Sequence, residues 1–137
     1  MNNKFESNYT VYYEDTDASG FTYHTTYLKF SERARSEILN SFFPEIVNSL
    51  RDNSFFFVVK NIFVNYVKPT YLFDKLKVTT SYVDSSYTSL KLNHLILFEN
   101  NRVCEINVKL VLIDGSSRKP VKIPKNIISR FKPSEIV

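Results

Sequence analysis

Hydrophobic and polar positions change period twice along this 137-residue chain. Tyr9 to Tyr13 is aromatic and β-branched and predicts a strand, which Glu14 to Gly20 breaks with acids, serine and glycine. From Tyr27 the period becomes helical. Tyr27, Phe30, Ala34, Ile38 and Phe42 recur at three and four residues and form one apolar stripe. Thr25 or Thr26 can cap this helix, and Glu32–Arg35 and Arg33–Glu37 are spaced as side-chain pairs along it. Pro44 interrupts it, and Glu45 to Leu50 suits a short helix beyond.

After the linker Arg51 to Ser54 the pattern reads as strands. Phe55 to Val67 is apolar at both parities, so it is either covered on both faces or bent near Asn61. Leu76, Val78, Thr80 and Tyr82 alternate with polar residues, and Asp84-Ser85-Ser86 is a hairpin candidate. Leu90, Leu92, His94, Ile96 and Phe98 share one face. Asn100-Asn101 turns the chain into Cys104, Ile106, Val108, Leu110 and Leu112, and Asp114-Gly115 closes that strand. Pro124 to Phe131 suits a terminal helical turn or two. One strand, a long helix and a four-stranded meander predict an α+β layer of helix on antiparallel sheet.

Composition changes this picture little. A chain of this length is one domain, 1–137. The two glycines argue against a turn-rich sandwich, and no apolar run reaches membrane-spanning length. The start Met1-Asn2-Asn3-Lys4 lacks the apolar segment of a signal peptide, so a cytoplasmic location is expected. The one cysteine, Cys104, excludes an internal disulfide and reads as a small buried hydrophobe. Charge is uneven: six of the basic residues fall between Arg118 and Val137 against one acid, Glu135. Such an end can meet phosphates, an acidic partner or only solvent.

Candidate chemistry concentrates in Val11 to Ile38, which holds Glu14, Asp15, Asp17 and His24. A carboxylate such as Asp17 can act as a general base or as a nucleophile, although an acid in such a turn is more often a turn or cap residue. His94 has no metal-like spacing to His24 and reads as packing or surface, and no metal site is indicated. No phosphate-binding glycine loop and no Gly-x-Ser-x-Gly elbow occurs. Nucleic-acid binding has charge in its favour but no recognition motif.

The run Thr16-Asp17, Gly20, His24, Tyr27 and Glu32-Arg33-Ala34-Arg35 resembles the signature of the hotdog-fold acyl-CoA thioesterases. It is most similar to the 4-hydroxybenzoyl-CoA thioesterase superfamily and, within it, to the subfamily associated with the Tol-Pal system. Weaker similarity continues through Val58, Tyr66, Pro69, Asp74, Arg118-Lys119-Pro120 and Ile123-Pro124. The resemblance implies a hotdog fold, with a curled five-stranded antiparallel sheet of order 1-3-4-5-2 around a long central helix. It implies hydrolysis of an acyl-CoA thioester in lipid metabolism, with Asp17 and His24 catalytic and no cofactor. The backbone N–H at His24 would polarise the thioester carbonyl.

The same resemblance implies a homodimer or homotetramer joined through the second strands. Tyr13, Gly20, Tyr27 and Glu32 become candidate pocket residues, though core packing is the simpler account of the tyrosines. Another branch of the family carries its carboxylate on the central helix, which makes Glu32 the competitor of Asp17. Arg118, Lys119 and Lys122 become candidates for the CoA phosphates. Acyl-carrier-protein thioesters are a related substrate choice, and a non-catalytic thioester-binding or scaffold protein is the alternative class. Ser19, Phe21 and Thr22 depart from the family pattern around Gly20 and bear on pocket width and turn stiffness.

Overall fold

Strand β1 (Lys4–Thr10) is followed by a 3-10 turn (Tyr13–Asp15), helices α1 (Thr26–Phe42) and α2 (Pro44–Arg51), then strand β2 (Phe55–Tyr66). Strands β3 (Lys75–Ser85), β4 (Ser89–Phe98) and β5 (Asn101–Asp114) form the meander, and α3 (Lys125–Phe131) closes the chain. This computed structural model describes residues 4–132; the polar start at Met1 to Asn3 and the acid Glu135 lie outside the described residues.

The five strands form one antiparallel sheet in the order β1-β3-β4-β5-β2. Fold and strand order are those the resemblance implied, but two features are overturned. The sheet is not curled: it is open, with β1 and β2 at opposite edges. Nor is there one long central helix, because the helical residues are divided among three separate helices. Pro44 accounts for the first division. It cannot continue α1 but suits the first position of α2. Phe43, between the two helices, is fully buried, whereas Phe42, counted in the apolar stripe, is exposed against the Phe5 ring.

The first strand also starts earlier than the aromatic run suggested. Residues 4–10 pair with β3, and Tyr12 and Tyr13 turn outward into the 3-10 segment. Between β4 and β5 the central turn residues are Glu99 and Asn100, both with positive φ (49° and 64°). That is the left-handed geometry matching hairpin twist, and Asn100 tolerates it well. In β2 the register shifts between Val59 and Asn61, a bulge that settles the alternatives for this greasy strand in favour of a bend. Gly115 is required by close approach: an added Cβ would meet the Asn53 carbonyl oxygen at 1.7 Å.

Two apolar clusters pack the helices on the sheet. Ile38, Phe43, Ile46, Leu92, Leu110, Ile127 and Phe131 form one, and Val11, Tyr27, Phe30, Ala34, Val78, Ile96 and Ile106 form the other. α1 runs across both, so its first turn is held beside the loop that follows β1. Among the described residues β2 pairs only with β5. It leaves Val58, Val59, Ile62, Phe63 and Tyr66 exposed along an edge strand.

Candidate active site

Thr16 and Thr22 pair across a reversal of the chain, and residues 17–20 make the turn between them. The Gly20 N–H donates to the Asp17 carbonyl at 3.0 Å, and the Asp17 N–H donates to the Phe21 carbonyl at 3.0 Å. Gly20 has φ +85°, which any residue with a Cβ adopts at a cost. Asp17 Oδ1 accepts the Ser19 N–H at 2.8 Å and also the Ser19 hydroxyl. The Ser19 hydroxyl, then its N–H, hold the Asp17 carboxyl below the ordinary carboxylate range. The turn reading of Asp17 and the chemical reading are thus compatible. The bonds that shape the turn keep a solvent-exposed carboxylate ionised.

The start of α1 lies next to this turn. The Tyr23 N–H donates to the Asp15 carbonyl at 2.7 Å, and the Thr26 N–H donates to the Tyr23 carbonyl at 2.9 Å. Neither Thr25 nor Thr26 caps the helix with its side chain. Thr25 makes no cap bond, and the Thr26 hydroxyl donates to the Asp15 carbonyl at 3.3 Å. Among the described residues the His24 N–H donates to no backbone carbonyl. The His24 carbonyl, by contrast, accepts the Tyr66 hydroxyl at 2.8 Å, which ties the helix start to the end of β2. Its ring stands 4.5 Å from that of Tyr23 and 6.4 Å from that of Tyr66.

Asp17, Phe21, Thr22, His24, Tyr27, Tyr66 and the segment Val67–Pro69 line one cavity of about 310 Å³. Two of its lining residues, Thr22 and Tyr27, are joined through the buried Thr70 hydroxyl. Thr70 Oγ1 lies 2.8 Å from the Tyr27 hydroxyl and 2.6 Å from Thr22 Oγ1. Burial pushes the Tyr27 phenol above its usual value, so it stays protonated and able to donate. The cavity therefore combines an ionised carboxylate, an unengaged helix-start amide and an aromatic wall. This is a set able to attack, or direct water at, an acyl carbonyl and to stabilise the oxyanion.

The other sequence candidates lie elsewhere. Tyr13 is exposed on the 3-10 turn and does not line the cavity, and Gly20 shapes the turn. Glu32 lines a separate cavity with Arg35, under β2. Arg118 lies 5.6 Å above the Phe56 ring and Lys122 lies 5.5 Å from the Tyr87 ring, with Lys119 exposed between them. Within one chain these cations sit at the opposite end of β2 from the cavity, ten residues and about 33 Å along the strand.

Tyr66, Thr22, Thr70 and Lys68 were not singled out as site residues by sequence reasoning. Tyr66 had a signal in its place beside Pro69, but its hydroxyl contact with a segment 42 residues earlier is tertiary. Cys104 is buried, which pushes its thiol up to about 12 and leaves it unreactive.

Residues 11–131 match the family model described as the thioesterase-like superfamily. The chain is 39% identical to the acyl-CoA thioester hydrolase YbgC of Escherichia coli over 124 residues, 89% of this chain and 91% of that one. It is 32% identical to the acyl-CoA thioesterase YbgC of Haemophilus influenzae, with 96% of each chain covered. The crystal structure of a hypothetical protein from Aquifex aeolicus superposes with a TM-score of 0.83 at 28% identity, covering 93% of this chain and 99% of that one.

Proposed function

The chain belongs to the thioesterase-like superfamily, and on that premise we propose that it hydrolyses an acyl-CoA thioester to a carboxylic acid and free CoA. The observation that carries this reading is the convergence of Asp17, His24, Tyr27 and Tyr66 on one cavity. The thioester carbonyl is placed against the His24 N–H at the start of α1, where the helix dipole favours developing negative charge. Asp17 takes a proton from water as it attacks the carbonyl carbon, or attacks that carbon itself to form an anhydride that water then opens. In both routes the C–S bond breaks and the thiolate of CoA leaves and is protonated. Ser19 makes Asp17 a weaker base but keeps it anionic, which suits direct attack. A single turnover in ¹⁸O-labelled water, with label found in the Asp17 carboxylate, distinguishes that route.

The exposed edge of β2 supports a homodimer. An unpaired, apolar edge strand is a liability unless another strand covers it. Antiparallel pairing of β2 with the same strand of a second copy brings the Phe56 end of one beside the Tyr66 end of the other. Arg118, Lys119 and Lys122 of the second copy then stand near the cavity mouth, where the phosphates of CoA would lie. Lys68 at the rim adds charge of the same sign. The test is free-thiol release from short, medium, long and aromatic acyl-CoAs, and from acyl-carrier-protein thioesters. Turnover of at least one CoA thioester is expected; turnover of none would favour a binding or scaffold role.

A further inference from the structure

Thr70 is fully buried, although it lies in the connection between β2 and β3. Connections ordinarily run over the surface, and a buried hydroxyl requires partners. Thr70 finds them on the two elements that carry the candidate site. Its carbonyl accepts the Thr22 N–H at 2.8 Å, and its Oγ1 lies 2.6 Å from Thr22 Oγ1 and 2.8 Å from the Tyr27 hydroxyl. Thr22 and Tyr27 are buried as well, and hydrogen bonds in such surroundings are stronger than in water.

The connection is itself held at both ends. The Val67 and Lys68 N–H groups donate to the Val103 carbonyl of β5 at 2.9 and 3.1 Å. At the other end the Phe73 N–H donates to the Val11 carbonyl at 2.7 Å, and the Val11 N–H to the Asp74 carbonyl at 3.0 Å. Thr70 is therefore fixed to the sheet, and two short routes run from it to the site. Thr22 adjoins Phe21, whose carbonyl accepts the Asp17 N–H, and it pairs with Thr16 across the turn. Tyr27 is the second residue of α1, three residues after His24. The Asp17 turn and the helix start thus share one hydroxyl as their anchor. Among the described residues no hydrogen bond joins Asp17 to His24 directly.

We propose that Thr70 is a positioning residue for thioester hydrolysis, whose hydroxyl holds the Asp17 carboxylate and the His24 N–H in register. It does not line the cavity and acts only through Thr22 and Tyr27, which do. The inference rests on the hydrolysis reading and adds the group that fixes its two halves against each other. Attack on the carbonyl and stabilisation of the oxyanion both depend on geometry reached in the transition state. Loosening the anchor therefore lowers rate more than affinity.

Thr70→Val keeps the shape of the side chain and removes the hydroxyl, whereas Thr70→Ser keeps the hydroxyl. These variants, with Thr22→Val, the double variant Thr22→Val/Thr70→Val and Asp17→Asn, are compared with the parent by free-thiol release well below their melting temperatures. Thr70→Val should lower kcat about tenfold with KM within about twofold, and should leave the acid limb of the pH profile where Ser19 sets it. Thr70→Ser should return kcat to within about threefold of the parent. The double variant should be no slower than the slower single one, because both substitutions break the same link. Should Thr70→Val fail to fold, Thr22→Val should show the same fall in kcat beside a parent-like Thr70→Ser. An active parent that Asp17→Asn silences and Thr70→Val leaves unchanged would overturn the Thr70 role alone. So would additive losses in the double variant, or a fall in kcat that serine does not restore. A parent inactive on every thioester would overturn the hydrolysis reading, and the role of Thr70 with it.

Discussion

Arg35 Nη1 lies 3.1 Å from His94 Nε2, and this contact fixes His94 as a neutral ring inside the protein. Burial, then the adjacent guanidinium, push the His94 pKa down to about 3. An unfolded histidine titrates near its ordinary 6.5, so between those values the unfolded chain binds a proton the folded one refuses. The stabilisation from a neutral His94 is complete above about pH 6.5 and is lost as pH falls toward 3. At pH 5 the loss amounts to about 2 kcal/mol. Thermal melts from pH 8 to pH 4 should fall steeply below 6.5, and His94→Gln should flatten that slope. A parallel slope in the variant would remove His94 as its source.

Ser19 gives a second pH signature. Its hydroxyl and N–H favour ionised Asp17, so the acid limb of kcat/KM should lie below the ordinary carboxylate range. Ser19→Ala removes the hydroxyl, and the limb should move upward while the plateau near pH 7 stays within about threefold. An unmoved limb would mean that a different group limits activity in acid.

Much of this frame was legible in the chain. The position of α1 followed from period changes, the strand order only from the family resemblance, and Asp17, His24 and Tyr27 do meet in one cavity. What was not legible depends on tertiary contact. Arg35 looks like a surface residue because its i,i+3 spacing to Glu32 suits one, and only the packed His94 reveals the inward turn. Tyr66 joins the site through a hydroxyl that reaches the His24 carbonyl from the end of β2. The open sheet was missed because alternation along strands reports which face is buried, not how far a sheet closes on itself.

Tyr66 holds the helix start by one bond to the His24 carbonyl, while its ring is partly exposed. Tyr66→Phe should lower kcat about tenfold by loosening the His24 amide, with KM and melting temperature little changed. Steady-state kinetics beside a thermal melt check this. A fall in stability matching the fall in rate would make the bond structural only.

Phe63 is 72% exposed on the unpaired edge of β2. Phe63→Glu places a charge where a second copy would pair, and should shift sedimentation from dimer or larger to monomer. A parent that sediments as a monomer would contradict pairing through this edge.

The central claim is that Asp17 in the cavity beside His24 carries out thioester hydrolysis. Free-thiol release from the best acyl-CoA substrate, compared between the parent and Asp17→Asn, tests it most directly. Asparagine preserves the shape of the turn while removing the charge. A fall in kcat of about a hundredfold or more, with melting temperature and oligomeric state retained, is the predicted result. Equal turnover by both proteins would contradict the account and direct attention to Glu32.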